Sequence, residues 1–293
     1  MKKMRKIMYY PGCTIKTYGQ RYEKTAIVAA KALGFELIEL PRWNCCGVVY
    51  GLSEDSVFHH IAPTRNLIRA QEFSRELGTN DLTTLCSMCY HVLKRVNDYL
   101  RSNPEALEKL NKFMDDEEDY EGGINVVHYL TILRDDIGFD KISEKVRRRL
   151  NGAKVACYYG CMLVKPRETG IDDPEDPLIM DELMESLGAE AIDYPFKTEC
   201  CGAYHIVSDK EIVKKRAVKI IKAALDRGAE IIATTCPLCH YNLEKGMEMA
   251  GKELRRKVLL VYFTELLAFA LGLDDSLEKN VLKELKRLIG GEK

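Results

Sequence analysis

Cysteines are the residues of this sequence with the clearest chemical potential. The chain has eleven of them in 293 residues, and ten follow the pattern C…CC…C-x-x-C twice. Thiolates are ligands for soft metals and iron–sulfur clusters. The ten cysteines therefore form two sets of five, and the five thiolates of each set could converge. The first set comprises Cys13, Cys45, Cys46, Cys86 and Cys89, and the second comprises Cys161, Cys200, Cys201, Cys236 and Cys239.

Three kinds of site could use these cysteines. A tetrahedral zinc site takes four ligands and leaves the fifth cysteine unexplained, and adjacent side chains on an extended chain point in opposite directions. A thioredoxin-like dithiol at each C-x-x-C leaves three cysteines per set without a role. An iron–sulfur centre normally takes four thiolates, so five would suit a cluster that is not an ordinary cube. Glycine lets the backbone approach a bulky cofactor closely, so we expect cofactor-binding roles for Gly12, Gly47, Gly160 and Gly202.

The composition limits the cellular setting and the partners. An odd number of cysteines, together with a four-residue apolar run before Pro11, argues against a secreted disulfide framework. No apolar run approaches the ~20 residues that span a bilayer. Lys and Arg number 44 against 45 Asp and Glu, which gives no basic field for nucleic acid. We expect a cytoplasmic protein with no membrane span and no nucleic-acid partner.

The sequences around the cysteines repeat as well, so the two halves are copies of one unit. "ALGFELIELPRWNCCG" resembles "SLGAEAIDYPFKTECCG", and "LTTLCSMCYHVL" resembles "IATTCPLCHYNL". The copies span roughly 5–137 and 153–273. We predict an N-terminal domain over 1–137, with an acidic surface excursion at 101–123, and a C-terminal domain over 138–293 with a terminal helix that docks on it.

Strands and helices alternate in each half. "KIMYY", "FELIEL", "AKVACYY" and "AEAIDY" are typical of strands, and a helix is predicted from about Thr14 to Leu33, ended by Gly34. A second helix ends at Gly228, and Pro237 suits the first turn of another. This order predicts an α/β fold of two pseudo-symmetric repeats, each a small parallel sheet flanked by helices. Loops at the carboxyl ends of parallel strands gather on one edge, so the cluster sites are expected there.

The ten-cysteine pattern resembles a known family. "YYPGCT", "WNCCG", "CSMCYHVL", "YYGCMLVKP", "DDPEDP", "TECCGAYH" and "TTCPLCHYNLE" are similar to the catalytic B subunit of heterodisulfide reductase, which has a duplicated cysteine-rich CCG domain. The resemblance implies two noncubane four-iron–four-sulfur (4Fe-4S) clusters, one per cysteine set. It also implies that a small-molecule disulfide, the coenzyme M–coenzyme B heterodisulfide or a related one, is cleaved between them. The implied partners are the ferredoxin-like C subunit of that enzyme and, through it, the flavin-containing A subunit.

Other side chains near the cysteines are candidates for the chemistry. His205 is a candidate proton donor, since imidazole changes charge near neutral pH. Lys16 and Lys165 follow the two Gly-Cys turns and could bind anionic substrate groups, as could Arg167. His91 and His240 are expected to be structural, and Cys157, outside the repeated pattern, a buried unligated thiol.

A second function stays open. CCG repeats also occur in electron-transfer subunits of complexes that resemble lactate or glycolate oxidation systems and membrane reductases. The chain has no ferredoxin-type cysteine run, no G-x-G-x-x-G and no P-loop. Electrons for a reductase would therefore have to come from another chain.

Overall fold

Two four-stranded parallel sheets, one in each repeat, form the framework of the protein. The structure is a computed structural model that describes residues 4–48 and 56–290. Both sheets have the same strand order, β2-β1-β3-β4 and β6-β5-β7-β8. The shared order confirms the α/β fold and the internal duplication. The strands are β1 Arg5–Tyr9, β2 Phe35–Glu39, β3 Asp81–Thr84, β4 Asn125–His128, β5 Lys154–Tyr158, β6 Glu190–Ala191, β7 Ile231–Thr234 and β8 Leu259–Tyr262.

Helices connect the strands in the described part of the chain. They are α1 Cys13–Thr17, α2 Gln20–Leu33, α3 Ile61–Leu77, α4 Ser87–Ser102, α5 Pro104–Phe113, α6 Tyr129–Thr131, α7 Phe139–Glu144, α8 Ile179–Ser186, α9 Lys210–Asp226, α10 Pro237–Ala250, α11 Lys252–Lys257, α12 Phe263–Ala270 and α13 Lys279–Ile289. Short 3-10 turns cover Val57–His60, Ala203–His205 and Asp274–Ser276, and a π-helical turn covers Ile132–Ile137.

Several predicted element boundaries are confirmed. Gly34 follows α2 with φ 103°, which a glycine adopts without steric cost. Gly228, just beyond α9, has φ 87°, and Pro237 occupies the first turn of α10. The terminal helix α13 buries Val281 and Leu285 against the main core.

Two predicted elements differ in the structure. The single helix expected over Thr14 to Leu33 is broken, because α1 ends at Thr17 and α2 begins at Gln20. Gly19 lies at the break, where a Cβ would come within 3.0 Å of the Ile15 backbone. The strand expected in "AEAIDY" pairs over Glu190–Ala191 alone. After Ala191 the side chains still alternate between buried and exposed. The sequence pattern therefore predicted the burial of side chains correctly but not the hydrogen bonding between strands.

The acidic segment is at the surface, as expected, but it is held against α3 rather than forming a loose excursion. The Glu117 side chain is 5% exposed and binds Arg69 at 2.8 Å and Arg65 at 3.4 Å. Glu118 binds Arg75 at 2.5 Å. Sequence composition identified the acidic run, but its cationic partners are 43 to 52 residues earlier in the chain.

One large buried core includes residues of both repeats. Tyr22 and Phe35 of the first repeat share it with Tyr262 and Phe263 of the second. A smaller core lies under α9 and includes Ile220 and Ile232. Within residues 4–48 and 56–290, no helix has both the length and the apolar character needed to cross a membrane.

Candidate functional site

The cysteines lie where strands end and helices begin. Cys13 is the first residue of α1, just after β1, while Cys86 precedes the first residue of α4 and Cys89 lies in its first turn. Cys236 and Cys239 hold the same positions at the start of α10. Since the strands of each sheet are parallel, their carboxyl ends bring these turns to one edge.

Sulfur contacts connect all five cysteines of the first set. Cys13 Sγ lies 3.8 Å from Cys45 Sγ. The Cys46 thiol is within hydrogen-bond reach of Cys45 and Cys89. The Cys89 thiol is in turn within reach of Cys86. Cys13 and Cys45 are exposed, whereas the other three are buried. The first set therefore extends from the surface into the interior.

The five cysteines of the second set line one narrow cavity of about 20 Å³. Cys201 Sγ lies 3.4 Å from Cys239 Sγ and accepts a hydrogen bond from Asn242 Nδ2 at 3.6 Å. Cys161 donates to Cys200. The side chains of this set therefore converge, as the repeat predicts.

The two sets meet at the boundary between the repeats. Cys86 Sγ is 3.9 Å from Cys236 Sγ, and both residues are buried. Beside them, Ser87 Oγ lies 3.0 Å from Thr235 Oγ1. Ser87 and Met88 also line the cavity of the second set, so the first repeat contributes to the second site. Corresponding cysteines of the two copies are thus in direct contact.

The contacting thiols differ in pKa because one thiol of a pair donates a hydrogen bond that the other accepts. The thiol of Cys161 donates to Cys200 and lowers the pKa of Cys200 to about 6, with a further contribution from the Gly202 N–H at 3.3 Å. Hydrogen bonds from Cys45 and Cys89 similarly lower the pKa of Cys46. A thiolate is the form that binds metals, so these contacts favour ligand formation.

The donor set fits an iron–sulfur centre in its chemistry. Among the described residues, no group of three or more His, Cys, Asp or Glu side chains is arranged to hold a single metal ion, and the sulfur contacts are pairwise. Each set nevertheless offers five neighbouring thiols, which are the usual ligands of iron–sulfur clusters. If clusters bind, the residues that would hold them are those of the two cysteine sets.

Two equivalent tyrosines hold the Cys-Cys-Gly loops. Tyr10 OH donates to Asn44 O at 2.7 Å, and Tyr158 OH donates to Glu199 O at 2.6 Å. Each acceptor immediately precedes an adjacent cysteine pair, and each tyrosine lies three residues before the first cysteine of its set. This role was not predicted from the sequence, although the repeated tyrosine was the available signal.

A third tyrosine joins the two C-x-x-C turns. Tyr22 OH lies 3.0 Å from Leu85 O and 3.1 Å from Thr235 O, the carbonyls immediately before Cys86 and Cys236. Its fully buried ring stacks on Tyr262 with centroids 4.3 Å apart. No sequence signal identified this residue, since Tyr22 lies within α2, nine residues after Cys13 and outside the repeated cysteine motifs.

A buried ionic group borders the second set. Arg21 Nη1 lies 3.3 Å from the fully buried Glu265 carboxylate, and Arg21 Nη2 lies 2.5 Å from His240 Nε2. His240 contacts Thr234 Oγ1 through Nδ1 at 2.9 Å. Burial raises the pKa of Glu265 to about 7, against the opposing effect of Arg21. His240 has the structural contacts expected of it, and they link α2 to the second C-x-x-C turn.

The four predicted glycines fall into two classes. A Cβ at Gly12 would lie 2.8 Å from Cys89 Sγ, and one at Gly160 would lie 3.1 Å from Cys239 Sγ. At Gly47 and Gly202 the nearest neighbours are side chains of α3 and α9, not cysteines. All four have positive φ, between 68° and 87°. The glycines before the first cysteine of each set are therefore the ones that make room for sulfur.

The predicted catalytic residues lie at the edge of the sites. Lys16 Nζ is ion-paired with Glu23 at 2.8 Å and with Glu39 at 2.6 Å. Lys165 Nζ lies 3.5 Å from Glu175 in the "DDPEDP" loop.

His205 is exposed, and its positive form would help to lower the pKa of Cys200 after larger effects from Cys161 and others. Cys157 is buried on β5, where burial raises its pKa.

Comparison with known proteins identifies the repeated unit. The model of the cysteine-rich domain family, CCG, matches residues 7–94 and 155–244. These two ranges contain all ten cysteines of the two sets.

Relatives match over most of their length. A protein of Archaeoglobus profundus that is described as similar to the B subunit of heterodisulfide reductase is 31% identical, over 90% of this chain and 89% of the relative. The B subunit of the ferredoxin/F(420)H(2)-dependent CoB-CoM heterodisulfide reductase of Methanosarcina acetivorans is 26% identical, over 97% of this chain and 96% of the relative. The 8-methylmenaquinol:fumarate reductase membrane anchor subunit of Wolinella succinogenes is 27% identical, over 90% and 92% respectively.

Proposed function

Because this chain belongs to the cysteine-rich CCG-domain family and is similar to the B subunits of heterodisulfide reductases, we propose that it is the catalytic iron–sulfur subunit of a disulfide reductase. Its substrate would be the coenzyme M–coenzyme B heterodisulfide or a related disulfide. Its cofactors would be two noncubane 4Fe-4S clusters, one held by each cysteine set. A ferredoxin-like subunit would deliver electrons, received in turn from a flavin-containing subunit.

The contact between the two cysteine sets is the observation that carries the proposal. Ten cysteines from two repeats form neighbouring sets that meet at Cys86 and Cys236, 3.9 Å apart. A disulfide has two sulfur atoms, and each would face its own redox centre. An arrangement of two adjacent centres suits that substrate better than two isolated structural metal sites.

The reaction must balance electrons and protons. Cleavage of one disulfide bond consumes two electrons and two protons and releases two thiols. The clusters would supply the electrons one at a time. His205, exposed beside Cys200, is the proposed proton donor to a departing sulfur. Lys16 and Lys165 stay predicted substrate-binding residues, and an anionic substrate would compete there with Glu23, Glu39 and Glu175.

A second candidate is an electron-transfer subunit that does not act on a disulfide. The similarity to the Wolinella succinogenes fumarate reductase subunit favours it. In that case the two centres would relay electrons, and the chain would reduce no disulfide by itself.

Metal analysis of protein purified without oxygen tests the proposal first. We expect about eight irons and matching acid-labile sulfide per chain. About four irons would indicate one incomplete centre and favour the electron-transfer candidate. Zinc without sulfide, in protein that also fails to take up iron, would exclude the proposed catalysis.

Two substitutions supply the matched comparison. Cys236→Ser removes a ligand at the meeting point of the sets, whereas Cys157→Ala removes a buried cysteine outside them. We expect Cys236→Ser to lose iron and viologen-dependent disulfide reduction, and Cys157→Ala to retain both. Equal iron content in the two variants would contradict the assigned ligands. Full iron content in the wild-type protein without any disulfide reduction would favour electron transfer.

A further inference from the structure

A second, smaller cavity lies beside the first cysteine set. It has a volume of about 10 Å³, enough for one oxygen-sized atom. Cys46, which is 2% exposed, forms one part of its wall. Arg95 and His59 supply polar groups, and Val92 and Val96 supply apolar ones. The cavity therefore connects the proposed metal centre with a guanidinium group.

Arg95 has no hydrogen bond or ion pair with any residue in the described ranges 4–48 and 56–290. Asp98 is the acidic residue of α4, and Lys94 binds it at 2.6 and 2.7 Å. The Arg95 side chain lines the cavity and is exposed to solvent, so an external anion can reach it.

Two histidines near Arg95 also have unused hydrogen-bonding capacity. His91 is 2% exposed, and its Nδ1 has no hydrogen-bond partner among the described residues. The same holds for Nδ1 of His60. Neither of these two histidines lines the cavity, so the Arg95 guanidinium is the cationic group that an anion there would meet.

The second repeat has a paired cation at the equivalent position. Lys245 lies six residues after Cys239, as Arg95 lies six residues after Cys89. Its Nζ binds Glu248 at 2.7 Å and lies over the Tyr241 ring. Lys245 is therefore engaged within its own helix, whereas Arg95 is not.

We propose that Arg95 binds an oxyanion of the disulfide substrate, as a carboxylate, sulfonate or phosphate, with one oxygen in the cavity beside Cys46. This inference rests on the proposed function and adds a residue and a cavity that would bind one charged end of the substrate. A guanidinium presents its donors in a planar fork that matches such oxyanions. An oxyanion held in this cavity lies next to Cys46, a residue of the first cysteine set.

Binding is measured by calorimetry on the oxidised, iron-loaded protein without an electron donor. The probes are dithiodipropionate, the neutral hydroxyethyl disulfide and inorganic phosphate. We expect dithiodipropionate to bind about tenfold more tightly than the neutral disulfide, and phosphate to bind weakly. Arg95→Gln should weaken dithiodipropionate binding about tenfold at unchanged iron content, and Arg95→Lys should weaken it less.

Lys245→Gln is the matched control and should bind all three probes as the wild type does. Equal binding of charged and neutral disulfides, no detectable dithiodipropionate binding, or an equal loss in both variants would overturn the inference. Phosphate binding as tight as that of dithiodipropionate would identify a free-anion site and overturn the assignment to substrate. Arg95-dependent binding without turnover would refute the reductase proposal alone, and charge-independent turnover would refute the Arg95 site alone.

Discussion

Removal of the Tyr22 hydroxyl tests how the two repeats are joined at the cysteine sets. In Tyr22→Phe the ring still stacks on Tyr262, but the one hydroxyl proton that Leu85 O and Thr235 O share, at O···O distances of 3.0 and 3.1 Å, is lost. Each carbonyl keeps one longer contact, from His128 Nε2 at 3.2 Å and Ser87 Oγ at 3.3 Å. We therefore expect a loss of about 1–2 kcal/mol in the free energy of unfolding.

The same change should loosen the turns that begin at Cys86 and Cys236. If native loop geometry is destabilised by that amount, release of iron to a chelator should accelerate by about 5- to 30-fold. The assays are denaturant unfolding of the metal-free protein and iron release from the loaded protein.

Tyr129→Phe is the matched control for this prediction. Its hydroxyl is also fully buried and donates to a backbone carbonyl, Ala26 O, at 3.0 Å. That carbonyl lies within α2, away from the cysteine turns. The control should lose some stability and keep its iron. Equal rates of iron release in the two variants would refute the reasoning.

Three further predictions concern stability and loop geometry. Gly246→Ala should lower the free energy of unfolding by about 1–3 kcal/mol, although alanine has the higher helix propensity. The added Cβ would lie 2.1 Å from Ala217 Cβ, where α9 crosses α10. Wild-type stability of the variant in denaturant unfolding would contradict this. Burial raises the pKa of Glu265 to about 7, so the folded state holds this proton more tightly than the unfolded state. The resulting contribution to the free energy of unfolding is complete below about pH 4.5 and is lost as the pH rises through about 7. Glu265→Gln should flatten that part of the stability–pH curve, by about 3 kcal/mol at most, and an unchanged curve would count against burial as the cause. Tyr158→Phe should release iron from the second set before the first, and spectroscopy that shows equal loss from both would reject its specific role at Glu199.

The sequence was sufficient for the repeat, the α/β class and the positions of the ten cysteines along the elements. Hydrophobic periodicity and the glycines at helix ends are local signals, and Gly34 and Gly228 lie where they were predicted. The same signals failed at Gly19 and at β6. At Gly19 the close approach to the Ile15 backbone coincides with the break between α1 and α2. At β6 the strand ends after two residues because only Glu190 and Ala191 pair with β5.

Tertiary structure decided which side chains meet. The contact of Cys86 with Cys236, the bridge by Tyr22 and the pairing of Arg21 with Glu265 all join residues more than 60 positions apart. It also decided that Lys16 is paired and that, among the described residues, Arg95 is not. A sequence pattern records the periodic environment of each element. Ion pairs and sulfur contacts depend on the docking of whole elements, which no local pattern contains.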